Sequence, residues 1–223
     1  MEMFDFFRKL KKNNNKTWLD AHRREYETFV LNPAREFVTA MGPRLAELSE
    51  GIIADPRTNR SLFRINRDTR FSPDKSPYKT NLAMIFWRGP GKRMESSGFY
   101  LHFEPDHFFW GAGIYMFPDH LLRRYRQAVV HPEKGPQLVK IVEELNSRPG
   151  LTVGGRHYKR VPSGMEAEGP AADLLLHRGL YTGGEPVKYP PEMFQASFVD
   201  YCIERFRSVL PLHNWLVDLG GRP

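Results

Sequence analysis

The chain has 223 residues, 40% hydrophobic and 26% charged, a composition that fits a soluble domain large enough to bury a core without disulfides or metal. Its one cysteine, Cys202, excludes an internal disulfide and a zinc site built on cysteines alone, and the longest uncharged apolar-rich stretch, residues 107–118, is too short to span a bilayer. The net charge of +7 is concentrated: residues 57–93 hold ten Lys/Arg against only Asp68 and Asp74, so the rest of the chain is close to neutral.

In chain order, the first third reads as helix. Phe4, Phe6, Phe7 and Leu10 have near-helical spacing, and Asn13-Asn14-Asn15 breaks the pattern. Thr17 is placed to cap a second helix running to about Val30. Asn32-Pro33 reads as N-cap and N1 of a third, over residues 32–49, burying Phe37, Met41, Leu45 and Leu48. The period then changes. Residues 61–66 alternate, residues 80–87 form a longer apolar strand ended by Gly89-Pro90-Gly91, and residues 98–104 and 107–116 add two more strands. No helical pattern separates them, so the sheet is expected to be largely antiparallel. Helices follow over residues 118–130 and 133–146. Residues 147–170, rich in Gly and Pro, read as loop with one short strand near Tyr158. A last helix covers residues 192–210 and is interrupted by Pro211. The expectation is an α+β fold over residues 1–223 as a single domain, with helices packed on one face of the sheet. Residues 1–50 form its helical part, 57–116 the sheet with the basic motif, and 117–223 a mixed, mainly helical part.

Common catalytic motifs are absent. Gly89-Pro90-Gly91-Lys92 lacks the spacing of a Walker A loop, and Gly111-Ala112-Gly113 lacks the third glycine of a dinucleotide fingerprint. The eight histidines form no HExxH pair, so no metal is expected. There is no GxSxG elbow, and Cys202 reads as a buried, inert thiol on a helix. The chain names no cofactor. Without an apolar segment at its N-terminus, it is expected to be cytoplasmic.

The stretch Arg64-Ile65-Asn66-Arg67-Asp68-Thr69-Arg70-Phe71-Ser72-Pro73-Asp74-Lys75-Ser76-Pro77-Tyr78-Lys79 differs from its surroundings. Charges of both signs alternate with aromatics and turn residues, and two prolines stiffen the backbone. Guanidinium groups held in fixed positions suit bidentate binding of carboxylate or phosphate. Asp68 and Asp74 either orient the arginines, serve as bases, or close internal salt bridges. FRINRDTRFSPDKSPYKT together with GFYLHFEPDHFFWGAGIY closely resembles the signature of the domain of unknown function 2461 family, whose members are uncharacterised and mainly bacterial. The region around Asn14 and Trp18 is similar to that family's N-terminal pattern. The resemblance makes Arg64, Asn66, Arg67, Asp68, Arg70, Asp74, Lys75, Pro77, Tyr78 and Lys79 signature positions and implies no activity.

If residues 98–104 and 107–116 form a hairpin, Phe99, Leu101 and Phe103 share the core face with Phe108, Trp110, Ala112 and Ile114. Tyr100 and His102 then occupy the opposite face, where Gly111 and Gly113 leave room for a ligand or for another backbone. A pocket lined by Arg64, Asn66, Tyr100 and His102, roofed by residues 67–79, follows as the candidate site. Arg156, Lys159, Arg160 and Arg178 form a second basic group in the late loop. Three functions fit. The first is a binding site for a phosphorylated small molecule or nucleotide, with His102, Asp68 or Tyr78 available for proton transfer. The second is nucleic-acid binding, weak and nonspecific, with Tyr78, Phe71 or Trp87 stacking on bases. The third is an interaction module whose motif is a structural ion-pair network.

Overall fold

Phe99, Leu101 and Phe103 are almost fully buried while Tyr100 and His102, between them, are only partly so. This is the period-2 signature of a strand with one face in the core. The computed structural model, which describes residues 2–220, sets that strand near the middle of a six-stranded antiparallel sheet. Its strands are β1 (Ile52–Ile53), β2 (Leu82–Arg88), β3 (Gly98–Phe103), β4 (Phe108–Ile114), β5 (Leu151–Arg156) and β6 (His177–Gly184), in the order β1-β2-β3-β4-β6-β5. The helices are α1 (Glu2–Lys12), α2 (Lys16–Ala21), α3 (Arg23–Tyr26), α4 (Asn32–Leu48), α5 (Asp119–Val129), α6 (Lys134–Asn146), α7 (Gly169–Leu174), α8 (Phe198–Ser208) and α9 (Leu210–Gly220), and a π-helical turn, Glu27–Leu31, joins α3 to α4. This is a single α+β domain.

Within it the contacts divide into two compact units. The first comprises the chain up to Phe86 with Tyr100–Phe109 and Pro186–Tyr201. Here Phe198 of α8 meets Phe103 and Phe108 with ring centroids 6.1 and 5.5 Å apart, so the apolar face of the β3–β4 hairpin is closed by a helix. Phe6 of α1 packs on Trp18 and Tyr26. The second unit comprises Trp87–Phe99, Trp110–Glu185 and the chain from Cys202. There Phe99 is sandwiched between Phe206 and His213, at 4.6 and 4.5 Å. β6 pairs antiparallel with both β4 and β5.

Several expectations are corrected. Asn15 caps α2, its side-chain oxygen accepting from the Trp18 amide at 3.0 Å, so the helix starts before Thr17. Asn32 is itself helical (φ −66°, ψ −50°) and caps nothing, because the π turn carries the chain straight into α4. In α4 the buried set is Ala34, Val38, Met41 and Leu45, with Phe37 only partly covered. Residues 61–66 are not a regular strand. They pair with β2 through an isolated bridge, Leu62 opposite Met84, with the Phe63 amide donating to Ala83 O and the Ile85 amide to Ser61 O. The expected last helix is a 3-10 turn, Pro191–Phe194, followed by α8. The short strand expected near Tyr158 is β5, which ends at Arg156; α7 and β6 were unforeseen. The glycines of β4 serve β6: a Cβ on Gly113, at φ +126°, would sit 2.3 Å from the Leu180 carbonyl oxygen. They answer a backbone neighbour, which is one of the two readings the sequence left open.

Behind the second unit's core, the buried Ser97 hydroxyl and His213 Nδ1 lie 2.9 Å apart. Burial, with a smaller push from Arg88, lowers the His213 pKa to about 4, against roughly 6.5 in an unfolded chain. As pH falls the unfolded state takes up this proton first. The contribution of neutral His213 is therefore whole above about pH 6.5 and is lost progressively down to about pH 4, an effect of about 3 kcal/mol. Urea denaturation at pH 7 and pH 4.5 is expected to show a smaller acid loss in His213→Gln than in the parent. Equal losses would contradict this role for His213.

Candidate functional site

All of the 64–79 motif lies in the first unit. Two backbone bonds close its base: the Arg67 amide donates to Pro77 O at 2.9 Å and the Lys79 amide to Ile65 O at 2.8 Å. Asn14 then clamps the returning limb at Tyr78, which is buried. Its Nδ2 donates to Tyr78 O at 2.9 Å and its Oδ1 accepts from the Tyr78 amide at 3.0 Å. One side-chain amide thus replaces a missing strand partner.

Within the loop, the charges largely satisfy one another. Arg67 donates to the Asp74 carboxylate and to Ser76 O at 3.2 Å, and the Ser76 amide donates to Asp74 Oδ1 at 2.9 Å. Arg70 grips Asp68 in a fork, Nε to Oδ1 at 3.0 Å and Nη2 to Oδ2 at 2.7 Å. Lys75 Nζ donates to Thr69 O at 3.0 Å. Hydrogen bonds from Ser76 and then Arg67 hold the Asp74 pKa at about 2, and Arg70 holds that of Asp68 at about 2. Carboxylates this strongly stabilised are poor proton acceptors at neutral pH, so neither aspartate has the basicity expected of a general base.

Arg64 and Lys79 stand at the two ends of the motif. Arg64 is exposed and makes no salt bridge among the described residues. Its charge acts on Asp68 only at a distance. Lys79 Nζ lies 5.4 Å from the Phe63 ring centroid, and Phe63 meets Tyr100 edge-on at 6.1 Å. The exposed Asn66 pairs its backbone with Tyr78.

The polar face of β3 carries a continuous chain of three side chains. Tyr100 Oη is 2.8 Å from His102 Nδ1, and His102 Nε2 is 3.0 Å from Glu104 Oε1. A carboxylate only accepts, so Nε2 carries the proton toward Glu104. Burial lowers the His102 pKa, outweighing Glu104, which raises it. The ring is then neutral, and Nδ1 accepts from the tyrosine hydroxyl. Burial also raises the Tyr100 pKa to about 12, which keeps the phenol protonated. Phe109 stacks on the imidazole at 4.5 Å and fixes its plane. The Glu104 backbone is secured from two sides: its amide donates to His107 O at 2.9 Å and its carbonyl accepts from Tyr189 Oη at 2.5 Å. Lys79 contributes to the potential at His102, so the cation and the chain share one locality.

Of the residues singled out from the sequence, Tyr100 and His102 are directly bonded, and Lys79 joins them through Phe63. Arg67, Asp68, Arg70, Asp74 and Lys75 bond within their own loop. Arg156, Lys159, Arg160 and Arg178 belong to the second unit, where Arg156 pairs with Asp173 at 3.3 Å and Arg178 with Asp119 at 2.9 Å. Glu104 escaped the sequence reading as part of the chain. The spacing Tyr-x-His-x-Glu on one strand face was the available signal.

The sequence matches the family described as conserved hypothetical protein (DUF2461) over residues 2–215. No curated protein matches it. Among the described residues no helix is long and apolar enough to cross a membrane.

The internal pairing of Arg67 carries a direct expectation. In Arg67→Ala the loop over residues 68–76 is expected to open locally while the fold persists. Hydrogen exchange at the Ser76 amide is expected to speed up at least tenfold, with an unchanged circular dichroism spectrum. Unaltered exchange would mean that the arginine does not hold the loop.

Proposed function

The chain belongs to the DUF2461 family of conserved hypothetical proteins, and we propose that it binds a phosphorylated small molecule or nucleotide on the polar face of β3. The observation that carries this reading is the Tyr100–His102–Glu104 chain lying beside Lys79. Its direction matters. With Nε2–H turned to Glu104 and the tyrosine proton turned to Nδ1, the phenolic oxygen offers its lone pairs outward. It can accept a hydrogen bond from a ligand hydroxyl, while Lys79 and Arg64 supply the positive charge for a phosphate. A phosphate monoester with a neighbouring hydroxyl satisfies both. In this reading Arg67, Asp68, Arg70, Asp74 and Lys75 act through the loop they stiffen, with Asn66 and Tyr78 as its hinge pair. That assigns the ion-pair network and the binding site to different members of one motif.

One observation favours a second reading. Phe71 is 93% exposed beside Arg70, whose guanidinium carbon is 5.7 Å from the ring centroid. An aromatic displayed on a basic loop suits stacking on unpaired bases. The acids interleaved in the loop oppose close approach of a polyphosphate chain, so such binding is expected to be weak and strongly salt-dependent.

Calorimetric titration with adenosine monophosphate and with glycerol phosphate tests the first reading. Lys79→Ala is expected to weaken binding roughly ten- to hundredfold, the equivalent of one charge-assisted hydrogen bond. Both ligands carry hydroxyls, so Tyr100→Phe is expected to weaken the binding of each. Binding indifferent to both substitutions would place any anion site elsewhere. Binding of a random oligonucleotide that is tight and persists in high salt would favour the second reading.

A further inference from the structure

We propose that the second unit holds a separate site for a compact phosphate dianion, inorganic phosphate or a small phosphate monoester, in the cavity beside the 89–97 turn. The cavity is about 330 Å³ in volume, at the lower end of the range for small-molecule pockets. It is walled by this turn, by α5 and by the end of α9.

The turn that forms the first wall is fixed from within. Gly89 adopts φ +83°, a conformation that needs glycine. The indole N–H of buried Trp87 donates to Gly91 O at 3.1 Å, and the Arg88 amide donates to Ser97 O at 2.9 Å. Its base and its apex are therefore both tied. Arg88 and Lys92 extend from this rigid segment into the cavity lining, and Arg124 joins them from α5.

The charge around the cavity does not balance. Arg88, Lys92 and Arg124 face a single acid, Glu95. Glu95 is already engaged by Lys92 at 3.0 Å. Arg124 donates to a carbonyl, that of Gly220, at 3.0 Å, and makes no salt bridge among the described residues. Arg88 makes no salt bridge among the described residues. A surplus of two positive charges among the described lining residues matches a dianion. The same surplus disfavours a metal cation. The rest of the lining includes Ile114, Leu121 and Leu216, apolar surface that suits the short carbon stub of a monoester.

The cavity is also connected to a reporter. Ser97 lines it and contacts the buried His213 ring nitrogen at 2.9 Å. Arg88 acts on His213 electrostatically. An anion that neutralises Arg88 therefore changes the surroundings of an imidazole that it never touches. That signature belongs to this cavity and to no residue of the β3 site.

Nuclear magnetic resonance titration of the full chain with inorganic phosphate, and separately with glycerol phosphate, tests the proposal. Amides of residues 89–97 and the His213 ring are expected to shift together and to saturate. Arg88→Ala is expected to weaken this response at least tenfold. Lys79→Ala, in the first unit, is expected to leave it unchanged. Arg88→Lys keeps the charge and is expected to retain most of the binding. If Arg88→Ala does not fold, Arg124→Gln carries the same expectation of loss. Absence of a saturable shift at residues 89–97 up to millimolar phosphate would overturn the proposal, as would parental affinity in both Arg88→Ala and Arg124→Gln. Loss of the response in Lys79→Ala would overturn the claim that the two sites are separate.

Discussion

Phe99, Leu101 and Phe103 are buried on one side of β3, and in a pleated strand that leaves Tyr100, His102 and Glu104 to share the other side. Each buried ring or leucine contributes about 1.5–3 kcal/mol. A slip by one residue would expose three of them and bury an imidazole and a carboxylate. The polar chain is therefore placed by its apolar neighbours, and its members need little stability of their own. The tyrosine, the histidine and the glutamate come into contact because residues i, i+2 and i+4 of a strand stand in a row. The Glu104–His107 backbone bond extends that row past the last residue of the strand.

The 64–79 loop has a different physical basis. A charged loop without partners would be mobile, and ordering it would cost conformational entropy residue by residue. Here that cost is offset locally. Asn14 supplies both hydrogen bonds that a strand neighbour would have given Tyr78. Arg67 with Asp74 and Arg70 with Asp68 cancel charge at short range. These exposed pairs add little global stability in water, but they fix which loop conformation persists. The acids interleaved among the arginines read in that light as counterions. In the proposed reading, Arg64 and Lys79 are the cations of the motif that face a ligand.

Where apolar periodicity was strong, the sequence was legible. β3, β4, α5 and α6 fall within a few residues of their expected limits because each carries an apolar face, and β2 does so because it is a continuous apolar run buried on both faces. β6, His177–Gly184, was missed because its glycines mask the alternation. Those glycines exist to let β4 approach: a Cβ on Gly183 would meet the Trp110 carbonyl oxygen at 2.2 Å. Such a demand comes from a neighbour some seventy residues away in the chain and has no local signature. The continuous path from α3 to α4 was misread for a related reason. Asn-Pro is a sound helix start in isolation, and only the π turn before it makes Asn32 interior. At the site, the density of charge in residues 64–79 announced a special segment. Which arginines would be consumed inside it depends on loop geometry, which composition does not encode.

The direction of the proton in the β3 chain is the central claim, because it decides whether Tyr100 presents a lone pair or a hydrogen to a ligand. Nitrogen-15 spectroscopy of the His102 imidazole at pH 7 reads it directly. The account requires a neutral ring with the proton on Nε2, facing Glu104, and a bare Nδ1 accepting from Tyr100. A ring protonated on Nδ1, or one carrying both protons at that pH, would contradict it.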